Sequence, residues 1–490
     1  MKRDRKFGEG FPPKTMAIVG VSSKGGTATA LRGGGAPPGY TGLLLWRMLR
    51  ESGFEGRIYP VNPRAADIDG VKAYPSVTAI PEPLDLVAIL VPAAAVPQVL
   101  EDCVATKALN VVIYSSGFGE TGEAEAKELD VKIREIASQG GLRAIGPNCM
   151  GFQIPSVRMK MFEDVAMVQG PVAFISQSGG HSRIFLKHSP DFGFGTSKVI
   201  SYGNGLMLDA LDFVEYLADD PETSIICVYL EGIRDGRRFA ELVRRTNRVK
   251  PVIIWKGGLT EPGGRAAASH TASLTGAKQI WEAFFKQTGA VRVGSIEEMA
   301  DVVMTMLRLK PSPSRRVAVL SVGGGSNVAT GDMCAEEGLE VTALSPRTMA
   351  TLGGLLSSVN QGVTNPMDAP SVFAQMPLLK NVLQVLAADP MIDTIILNMN
   401  PDMLIGLLAL ARADFERILL ESYQEKSGGL NVVVAVSEEY RGSDIEKYAL
   451  ELRQSGIAAY GSLRRACRAL RRFAAYHEFV SQMAAKPKAD

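Results

Sequence analysis

The stretch that decides the fold is residues 86–114, where two apolar runs, LVAILV at Leu86–Val91 and NVVIY at Asn110–Tyr114, flank a helical segment. Both runs are apolar at nearly every position. An alternating pattern would indicate a strand with one face in water, whereas continuous apolar runs are typical of parallel strands covered on both faces. This stretch therefore predicts a βαβ unit at the centre of a doubly wound α/β domain.

The same pattern extends along the chain in both directions. The predicted strands form three sets, at Met16–Val19, Gly56–Tyr59, Leu86–Val91, Asn110–Tyr114 and Gly141–Ile145; at Pro171–Ser176, Lys198–Gly203, Ser224–Leu230 and Pro251–Lys256; and at Arg316–Val322, Leu339–Leu344, Thr394–Met399 and Asn431–Val436. Breaks near Met150 and at the PSPS segment, Pro311–Ser314, separate the sets. The sequence thus predicts three doubly wound domains, at residues 1–150, 151–311 and 312–490.

Composition excludes several classes of partner and site. The 490 residues carry 53 Lys and Arg against 52 Asp and Glu, a net charge of +1, so we expect no nucleic-acid partner. The 5 cysteines lie far apart with no CxxC pair and there are 4 histidines, so we expect no metal site in this chain. The charged start MKRDRKFGEG lacks the apolar core of an export signal, and no apolar run reaches the ~18 residues of a membrane span. We therefore expect a soluble, cytoplasmic protein with no membrane partner.

Ligands of doubly wound sheets bind at loops past the carboxyl ends of the strands. The first such loop is GVSSKGG at Gly20–Gly26. A nicotinamide site would need GxGxxG here and an acidic residue closing the second strand, and neither is present. Residues 117–122 match GxGxxG formally but follow the fourth strand. A nucleotide with phosphates near Lys24 and Arg64 stays open, and so does a simple turn at Gly20.

Four loops of the first predicted domain together resemble the CoA-binding domain of NDP-forming acyl-CoA synthetases, relatives of the succinyl-CoA synthetase α subunit. They are GVSSK at Gly20–Lys24, YPVNP at Tyr59–Pro63, SSGFGETG at Ser115–Gly122 and GPNCMG at Gly146–Gly151. The resemblance implies an N-terminal Rossmann-like CoA-binding domain. The residues that it implies for CoA binding are Gly20, Ser22, Ser23, Lys24, Asn62, Pro63, Arg64, Val91, Pro92, Ser116, Gly117, Phe118 and Asn148.

The other two predicted domains resemble flavodoxin-like domains of the succinyl-CoA synthetase type. The second contains ISQSGG at Ile175–Gly180, YLEG at Tyr229–Gly232, and RAAASHTASLTG at Arg265–Gly276, which resembles the phosphohistidine loop of ADP-forming acetate–CoA ligases. The third contains GGGS at Gly323–Ser326 and TNPMD at Thr364–Asp368. The latter segment is interpreted locally as a turn in which Asp368 caps a helix.

His270 is the candidate catalytic nucleophile. It is the only histidine predicted in a polar loop of small residues after a buried strand, which leaves room for a phosphoryl group. A neutral imidazole attacks phosphorus well when its other nitrogen is held by an acceptor. Glu231 lies at the end of the predicted strand Ser224–Leu230, and the resemblance implies that it is this acceptor. A structural role for His270 remains the alternative.

A phosphohistidine needs charge compensation, and two glycine-rich loops before helices can supply it through their backbone N–H groups and helix dipoles. The candidate phosphate-stabilising residues are Ser176, Gln177, Ser178, Gly179 and Gly180 in the first loop, and Gly323, Gly324, Gly325 and Ser326 in the second. Each loop taken alone is also compatible with ordinary turn chemistry.

The resemblance implies an α-type subunit that converts a small carboxylic acid, CoA and a nucleoside triphosphate to acyl-CoA, NDP and phosphate. In this family an ATP-grasp domain phosphorylates the histidine, and neither such a domain nor a GxxxxGK[ST] loop is evident in the sequence. We therefore expect ATP or another NTP with Mg²⁺ to bind a separate ATP-grasp β subunit, which makes the enzyme an oligomer. A CoA-binding regulatory protein and a nucleotide-independent CoA-transferase or hydrolase remain alternatives.

Three features depart from the family pattern or lie outside it. His181 follows the first glycine loop, where small apolar residues are usual, and could contact the acyl carboxylate or point away. The Gly- and Pro-rich insertion Thr27–Gly39 could reshape the mouth of the CoA site. The basic segment RRACRALRR at Arg464–Arg472 is interpreted as a solvated helix face.

Overall fold

The computed structural model describes residues 7–22, 40–271, 277–356, 363–424, 430–436 and 445–485. Ser23, Lys24 and the insertion Thr27–Gly39 therefore lie outside the described residues. The chain divides into two compact units, Met1–Pro190 with Phe194–Ile296 and Asp191–Gly193 with Glu297–Asp490. The α/β fold with parallel sheets is confirmed, and the boundaries at residues 150 and 311 stay a prediction.

The first unit contains two sheets, of which the N-terminal one is wholly parallel. Its strands, with one small hairpin, are β1 (Thr15–Val19), β2 (Arg57–Val61), β3 (Asp67–Ile68), β4 (Val71–Lys72), β5 (Leu86–Ile89), β6 (Asn110–Ile113) and β7 (Arg143–Ile145). The sheet order is β2-β1-β5-β6-β7, and β3 and β4 pair separately. Its helices are α1 (Gly42–Glu51), α2 (Val96–Ala105) and α3 (Ala124–Gly140). The strand predicted at Gly56–Tyr59 continues through Pro60, which β2 accommodates as an edge strand.

In the second sheet of this unit the predicted strands are parallel, and one strand that was not predicted is antiparallel. Its strands are β8 (Gly151–Gln153), β9 (Gln169–Ser176), β10 (Thr196–Ser201), β11 (Ile225–Leu230), β12 (Val252–Lys256) and β13 (Val291–Val293). The order is β13-β12-β11-β9-β10-β8, and β8 is antiparallel to β10. Three residues are too few to show a strand period, so the sequence does not reveal β8.

The helices of the second sheet correct the predicted loop around His270. They are α4 (Gly179–Asp191), α5 (Ala210–Ala218), α6 (Gly236–Thr246), α7 (Glu261–Thr271) and α8 (Lys278–Thr288). The backbone of His270 thus lies in the last turn of α7. Alanine is the strongest helix former, and Ala266–Ala268 precede the histidine. Glu261 in the first turn also interacts favourably with the helix dipole.

The second unit is built around a third parallel sheet. Its strands are β14 (Arg316–Ser321), β15 (Glu340–Val341), β16 (Met367–Asp368), β17 (Thr394–Met399), β18 (Asn431–Val436) and β19 (Ala459–Tyr460). The order is β15-β14-β17-β18-β19, with β16 also beside β14. The helices are α9 (Ile296–Arg308, which begins at the last residue of the first unit), α10 (Gly324–Glu336), α11 (Pro346–Leu355), α12 (Pro370–Ala374), α13 (Met376–Ala387), α14 (Pro401–Gln424), α15 (Ile445–Gln454) and α16 (Leu463–Ala485). Within the described ranges, no helix has both the length and the apolar character needed to cross a bilayer.

The basic segment at the start of α16 is paired with acidic residues, which corrects its interpretation as a simply solvated face. Arg464 and Arg468 both bond the carboxylate of Glu337, at 2.7 and 3.0 Å. Arg465 forms a two-pronged bond with Asp301, whose side chain is 2% exposed. A composition-based argument misses these partners because they lie more than 100 residues away in sequence.

Candidate functional site

The residues predicted to bind CoA follow the carboxyl ends of neighbouring strands in the first sheet. Val19 lies beside both Val61 and Ile89, so the loops after β1, β2 and β5 leave the sheet together. Gly20 has φ +99°, and a Cβ there would overlap the carbonyl of Leu90. Only glycine fits this position without strain.

Side-chain hydrogen bonds shape two of these loops. Asn62 donates from Nδ2 to the carbonyl of Val21 at 2.6 Å and accepts from the N–H of Arg64 at 2.8 Å. Asn148, at φ +56°, donates its backbone N–H to the carbonyl of Ser115 at 2.8 Å. The predicted CoA residues that the structure describes at this edge are Gly20, Ser22, Asn62, Pro63, Arg64, Val91, Pro92, Ser116, Gly117, Phe118 and Asn148.

A second set of predicted residues lies at the carboxyl edge of the second sheet. Strands β9, β11 and β12 are adjacent and parallel. Ser176 lies beside Tyr229, and Leu230 lies beside Lys256, so the three strands end at nearly the same level. The residues after these strand ends, including Glu231, therefore share one edge, where ligands bind in sheets of this kind.

At this edge of the second sheet, Glu231 forms hydrogen bonds with Tyr229 and with Gln177. Its side chain is buried, with 7% of the residue exposed, and accepts a hydrogen bond from the Tyr229 hydroxyl at 3.1 Å. Its backbone N–H donates to Oε1 of Gln177 at 2.8 Å. Burial raises the pKa of Tyr229, and the Glu231 carboxylate adds to that rise, so the hydroxyl stays a donor. A buried carboxylate oriented in this way suits an acceptor that fixes an imidazole N–H.

Lys256, the last residue of the neighbouring strand β12, contacts the backbone of Glu231. Its Nζ donates to the carbonyl of Glu231 at 2.7 Å and to the carbonyl of Gly257. The ammonium also lies 5.2 Å from the centre of the Trp281 ring, within cation–π range. Burial lowers the pKa of Lys256 to about 8, and the nearby Glu231 partly opposes that change.

The first glycine loop is fixed by side chains at both ends. Ser176 donates from Oγ to the carbonyl of Ser178 at 2.7 Å and accepts from the N–H of Ser178 at 3.1 Å. Ser178 accepts from the N–H of His181 at 3.3 Å, as a residue that caps α4 does. A Cβ at Gly179 would overlap the Met150 side chain, so a larger residue here would force that side chain to move. The loop therefore presents the start of α4 in a defined geometry.

His181 does not extend freely from this loop. Its ring lies 4.3 Å from the ring of Tyr229 and 4.6 Å from that of Trp255, centre to centre. These two rings are themselves 4.8 Å apart in an edge-on arrangement. The imidazole thus packs within an aromatic cluster that adjoins the strand end carrying Glu231.

A cavity of about 470 Å³ lies within the first unit, between loops of its two sheets. The loop of the first sheet contributes Gly119 and Glu120, and the second sheet contributes Gln177, Asn204 and Arg234. The wall is closed by a 2.6 Å bond from Asn204 Nδ2 to Glu120 Oε2. The cavity therefore joins the neighbourhood of the predicted CoA loop to Gln177, the partner of Glu231.

The second glycine loop lies in the other unit, at the start of α10. Gly323 has φ +102°, and its N–H donates to Oδ1 of Asp368 at 2.8 Å. Asp368 was expected to cap the helix that follows it, but Ala369 occupies that cap position and no side chain bonds there. The carboxylate binds Gly323 instead because β16 runs beside β14 and ends next to this loop.

For His270 the structure describes the position of the backbone alone. Helix α7 follows β12, the strand that ends at Lys256, and packs beside the turn Gly119–Thr121 that borders the cavity. Nothing is described of the imidazole itself, and residues 272–276 of the predicted phosphohistidine stretch lie outside the described residues. Among the described residues, no group of three His, Cys, Asp or Glu side chains is arranged to hold a metal ion.

Tyr229, Lys256 and Asn204 are site residues that the sequence analysis missed. Tyr229 precedes Glu231 by two positions, and residues two apart share a face of a strand, so the spacing contained a usable signal. Lys256 ends a strand of the same set, which was a weaker signal. The bond of Asn204 to Glu120 joins residues 84 apart, and nothing in the sequence pattern indicates it.

Two family models match the chain. Residues 14–155 match a CoA binding domain, and residues 169–306 match a succinyl-CoA ligase like flavodoxin domain. The first range covers every strand of the first sheet and also β8, and the second range covers β9 to β13 of the second sheet and continues into α9.

Known proteins match over longer stretches. The α subunit of ADP-forming acetate–CoA ligase II of Pyrococcus furiosus is 38% identical over 388 residues, 79% of this chain and 80% of that one. ADP-forming acetate–CoA ligase I of Archaeoglobus fulgidus is 32% identical over 98% of this chain, which spans 65% of that relative's length. A solved dinucleotide-forming acetyl-CoA synthetase of Ca. Korarchaeum cryptofilum, in complex with phosphate and ADP, is 28% identical with a TM-score of 0.81 over 97% of this chain and 98% of that one. The chain belongs to the ADP-forming acetate–CoA ligase family.

Proposed function

We propose that the chain is the α-type subunit of an NDP-forming acyl-CoA synthetase. The reaction joins a small carboxylic acid and CoA at the expense of a nucleoside triphosphate, which leaves as NDP and phosphate. The observation that carries the proposal is the buried Glu231, fixed by Tyr229 and Gln177 at the edge where the Ser176–Gly180 loop begins α4. The names of the P. furiosus and A. fulgidus relatives support the same activity.

In the first step, His270 receives the phosphoryl group from the nucleotide. Glu231 accepts the N–H of one imidazole nitrogen, which leaves the lone pair of the other directed at phosphorus. The bonds from Tyr229 and Gln177 limit the rotation of Glu231 and hold it ready for this role. Phosphohistidine then passes its phosphoryl group to the carboxylate of the acid and forms an acyl phosphate.

The two glycine loops stabilise the negative charge of the phosphoryl group. Each begins a helix of 13 residues, α4 or α10, whose first N–H groups have no partner within the helix. The first loop comprises Ser176, Gln177, Ser178, Gly179 and Gly180; the second comprises Gly323, Gly324, Gly325 and Ser326. Such N–H groups bind phosphate without a metal ion.

In the last step, the thiol of CoA attacks the acyl phosphate. The loops after β1, β2, β5, β6 and β7 hold CoA, with Arg64 as an exposed cation for its phosphates and the Gly20 turn allowing close backbone approach. Ser23 and Lys24 are further proposed contacts in the part of the first loop outside the described residues.

The nucleotide, ATP or another NTP with Mg²⁺, binds an ATP-grasp β subunit that acts with this chain in an oligomer. The P. furiosus relatives named as α subunits support a separate subunit. The A. fulgidus relative extends beyond the matched region, so the same function on one longer polypeptide is the other arrangement that the family allows.

Reversal of the reaction tests the proposal without a β subunit. The chain is incubated with inorganic phosphate, Mg²⁺ and a panel of acyl-CoAs, and its intact mass is measured under alkaline conditions. We expect one acid-labile phosphoryl group, lost in His270→Ala and retained in His188→Ala, a histidine on α4. The acyl-CoA that phosphorylates the chain fastest identifies the acid. CoA binding without phosphorylation, even with a matched β subunit and ATP, would favour a regulatory protein.

A further inference from the structure

The proposed phosphorylation of His270 depends on how two segments at the edge of the second sheet are placed. Glu231 follows β11, whereas His270 lies on α7, which is reached from β12 through residues 257–260. This linker begins with Gly257 and Gly258, and Gly258 has φ +74°. Glycine allows many backbone conformations, so the linker needs further contacts to fix the start of α7. Because a misplacement of about 1 Å can lower a rate about 100-fold, those contacts matter for the reaction.

Lys256 connects the linker to the strand end that carries Glu231. It is the last residue of β12, where it lies beside Leu230, the last residue of β11. Its Nζ donates to the carbonyl of Glu231 at 2.7 Å and to the carbonyl of Gly257. Hydrogen bonds from a charged donor are roughly twice as strong as those between neutral groups. One ammonium therefore binds the first residue after β11 and the first residue after β12.

Gly257 also lies beside the group that orients Glu231. A Cβ at Gly257 would lie 2.8 Å from the hydroxyl of Tyr229, which donates to the Glu231 carboxylate. The backbone N–H of Gly257 donates to the carbonyl of Leu230 at 2.9 Å. A shift of Gly257 would therefore disturb Tyr229 and Glu231 together.

The ammonium of Lys256 contacts the helix that follows α7 as well. Trp281 on α8 is buried, and the centre of its ring lies 5.2 Å from Nζ, within cation–π range. Lys256 thus contacts the chain before α7, at the linker, and after α7, on α8.

Stability does not account for an amine at this position. Lys256 is buried, and burial lowers its pKa to about 8, although the nearby Glu231 partly opposes the change. A lowered pKa of an amine means that burial of its charged form costs free energy. Methionine is similar in length and uncharged, so it would occupy the space without this cost. The bonds to two carbonyls are what lysine provides here and methionine does not.

We infer that Lys256 is a positioning residue for the phosphorylation of His270, an inference that rests on the proposed function. Its ammonium holds the carbonyls of Glu231 and Gly257 together. It thereby fixes the strand end that carries the acceptor relative to the start of the helix that carries the nucleophile. Lys256 acts through these two segments and forms no covalent bond in the reaction.

Lys250 is a matched control near the other end of the same strand. Its Nζ donates to the carbonyls of Leu217 and Asp220, at 2.9 and 2.6 Å, and burial lowers its pKa as well. Lys250 precedes β12, whereas Lys256 ends that strand. Each amine therefore bonds two backbone carbonyls, but Lys256 does so at the edge that carries Glu231.

The test follows phosphorylation of the chain by phosphate and the most active acyl-CoA of the panel, with intact mass as the measure. For Lys256→Met we expect the maximal rate to fall about 100-fold, because the acceptor and the nucleophile are no longer held in place. The phosphate concentration that gives half the maximal rate should stay within about twofold, because the glycine loops are unchanged. For Lys250→Met both quantities should stay within about twofold of the wild type.

Urea unfolding shows whether each variant is folded. Lys256→Gln keeps an N–H₂ donor on a shorter, uncharged side chain, and its maximal rate should fall about tenfold, between the wild type and Lys256→Met. If Lys256→Met shows no cooperative unfolding transition, Lys256→Gln decides the question, and a wild-type rate in it would overturn the assignment.

Equal losses of maximal rate in Lys250→Met and Lys256→Met, or a wild-type rate in Lys256→Met, would also overturn the assignment. So would a Lys256→Met chain whose only change is a higher phosphate requirement, since that would indicate a role in phosphate binding. A wild-type chain that shows no phosphohistidine at all would overturn the proposed function instead.

Discussion

The two glycine loops have similar sequences and lie at similar positions in their sheets, yet they are built differently. Ser176–Gly180 begins at the last residue of β9 and is held by hydrogen bonds of Ser176, Ser178 and Gln177, and Gln177 accepts the N–H of Glu231. Gly323–Ser326 follows β14, and its first N–H is taken by the carboxylate of Asp368. The first loop is thus linked by a hydrogen bond to Glu231, the candidate catalytic carboxylate. In the second loop, one backbone N–H already donates to the carboxylate of Asp368.

This difference shows that a glycine-rich turn before a helix is not by itself an anion site of fixed strength. A phosphoryl group that approaches α4 meets N–H groups held in place by neighbouring side chains, so little reorganisation is needed. At α10 a bound anion would share the loop with the carboxylate of Asp368, and the two negative charges would repel each other. We therefore expect the first loop to contribute more to phosphorylation of His270 than the second.

The largest effect should come from the carboxylate tied to the first loop. Glu231→Gln keeps the shape of the side chain and an oxygen for the Tyr229 hydroxyl but removes the charge that orients an imidazole. We expect the rate of His270 phosphorylation by acyl-CoA and phosphate to fall about 100- to 1000-fold, as for other acid–base partners.

Glu261→Gln is the control for Glu231→Gln. Glu261 begins α7, the helix that carries His270, and its side chain is 87% exposed. This variant should retain the wild-type rate. If Glu231→Gln had normal activity, the hydrogen bond that links the first loop to Glu231 would have no role in catalysis, and the proposed difference between the two loops would be wrong.

A matched pair of carboxylates tests the loops directly. Gly180→Asp and Gly325→Asp each add a negative charge in the first turn of a helix, where a side chain fits because the nearest atom to a Cβ is 3.7 Å away at Gly180 and beyond 4 Å at Gly325. Like charges brought together cost several kcal/mol. We expect phosphorylation to fall about 100-fold for Gly180→Asp and about 10-fold for Gly325→Asp.

The alanine variants of the same glycines separate charge from bulk. Gly180→Ala and Gly325→Ala add the Cβ alone and should stay within about threefold of the wild-type rate. Equal losses for the two aspartate variants would mean that the loops contribute equally, contrary to the difference in their hydrogen bonds.

The edge that carries the first loop also contains a buried amine, and this predicts a pH dependence of stability. Burial lowers the pKa of Lys256 from 10.5 to about 8, so the unfolded chain binds more protons than the folded chain between these values. The free energy of unfolding that this group controls therefore rises as pH increases from about 8 to 10.5. Urea unfolding across this range should show that rise in the wild type and lack it in Lys256→Met.

The control for this measurement lies in the other unit. Lys380→Met removes an amine that is 43% exposed and paired with Glu421, and it should leave the rise unchanged. A rise of the same size in Lys256→Met would place its origin in other groups.

The central strands could be predicted from sequence because burial on both faces produces continuous apolar runs, as at Leu86–Ile89 and Asn431–Val436. Their order then predicts which loops share an edge, and those predicted CoA residues that the structure describes do lie at one edge of the first sheet. The apolar run Ser224–Leu230 predicted that Glu231 lies at a strand end. The structure has Glu231 at the end of β11, and its side chain is buried.

The remaining features depend on contacts between distant segments, which local patterns do not encode. The bond from Gly323 to Asp368 spans 45 residues and requires β16 to lie beside β14. The short antiparallel strand β8 likewise forms only because β10 offers it an edge. Three of the small residues that indicated a loop around His270, Ala266–Ala268, are strong helix formers, and α7 continues through the backbone of His270.

The smallest effect should come from Asp368, the residue that distinguishes the second loop. Asp368→Asn keeps an oxygen that can accept the N–H of Gly323 but removes the negative charge beside the proposed phosphate-stabilising loop. Relief of a partly screened repulsion is worth about 0.5–1 kcal/mol, which corresponds to a twofold to fivefold gain. We expect the concentration of phosphate needed for half-maximal phosphorylation of His270 to fall by this factor, with the maximal rate little changed. Asp402→Asn, at the start of α14, is the control and should not alter the phosphate requirement. A higher phosphate requirement in Asp368→Asn would mean that the carboxylate organises the loop for phosphate rather than competing with it, and the second loop would then resemble the first.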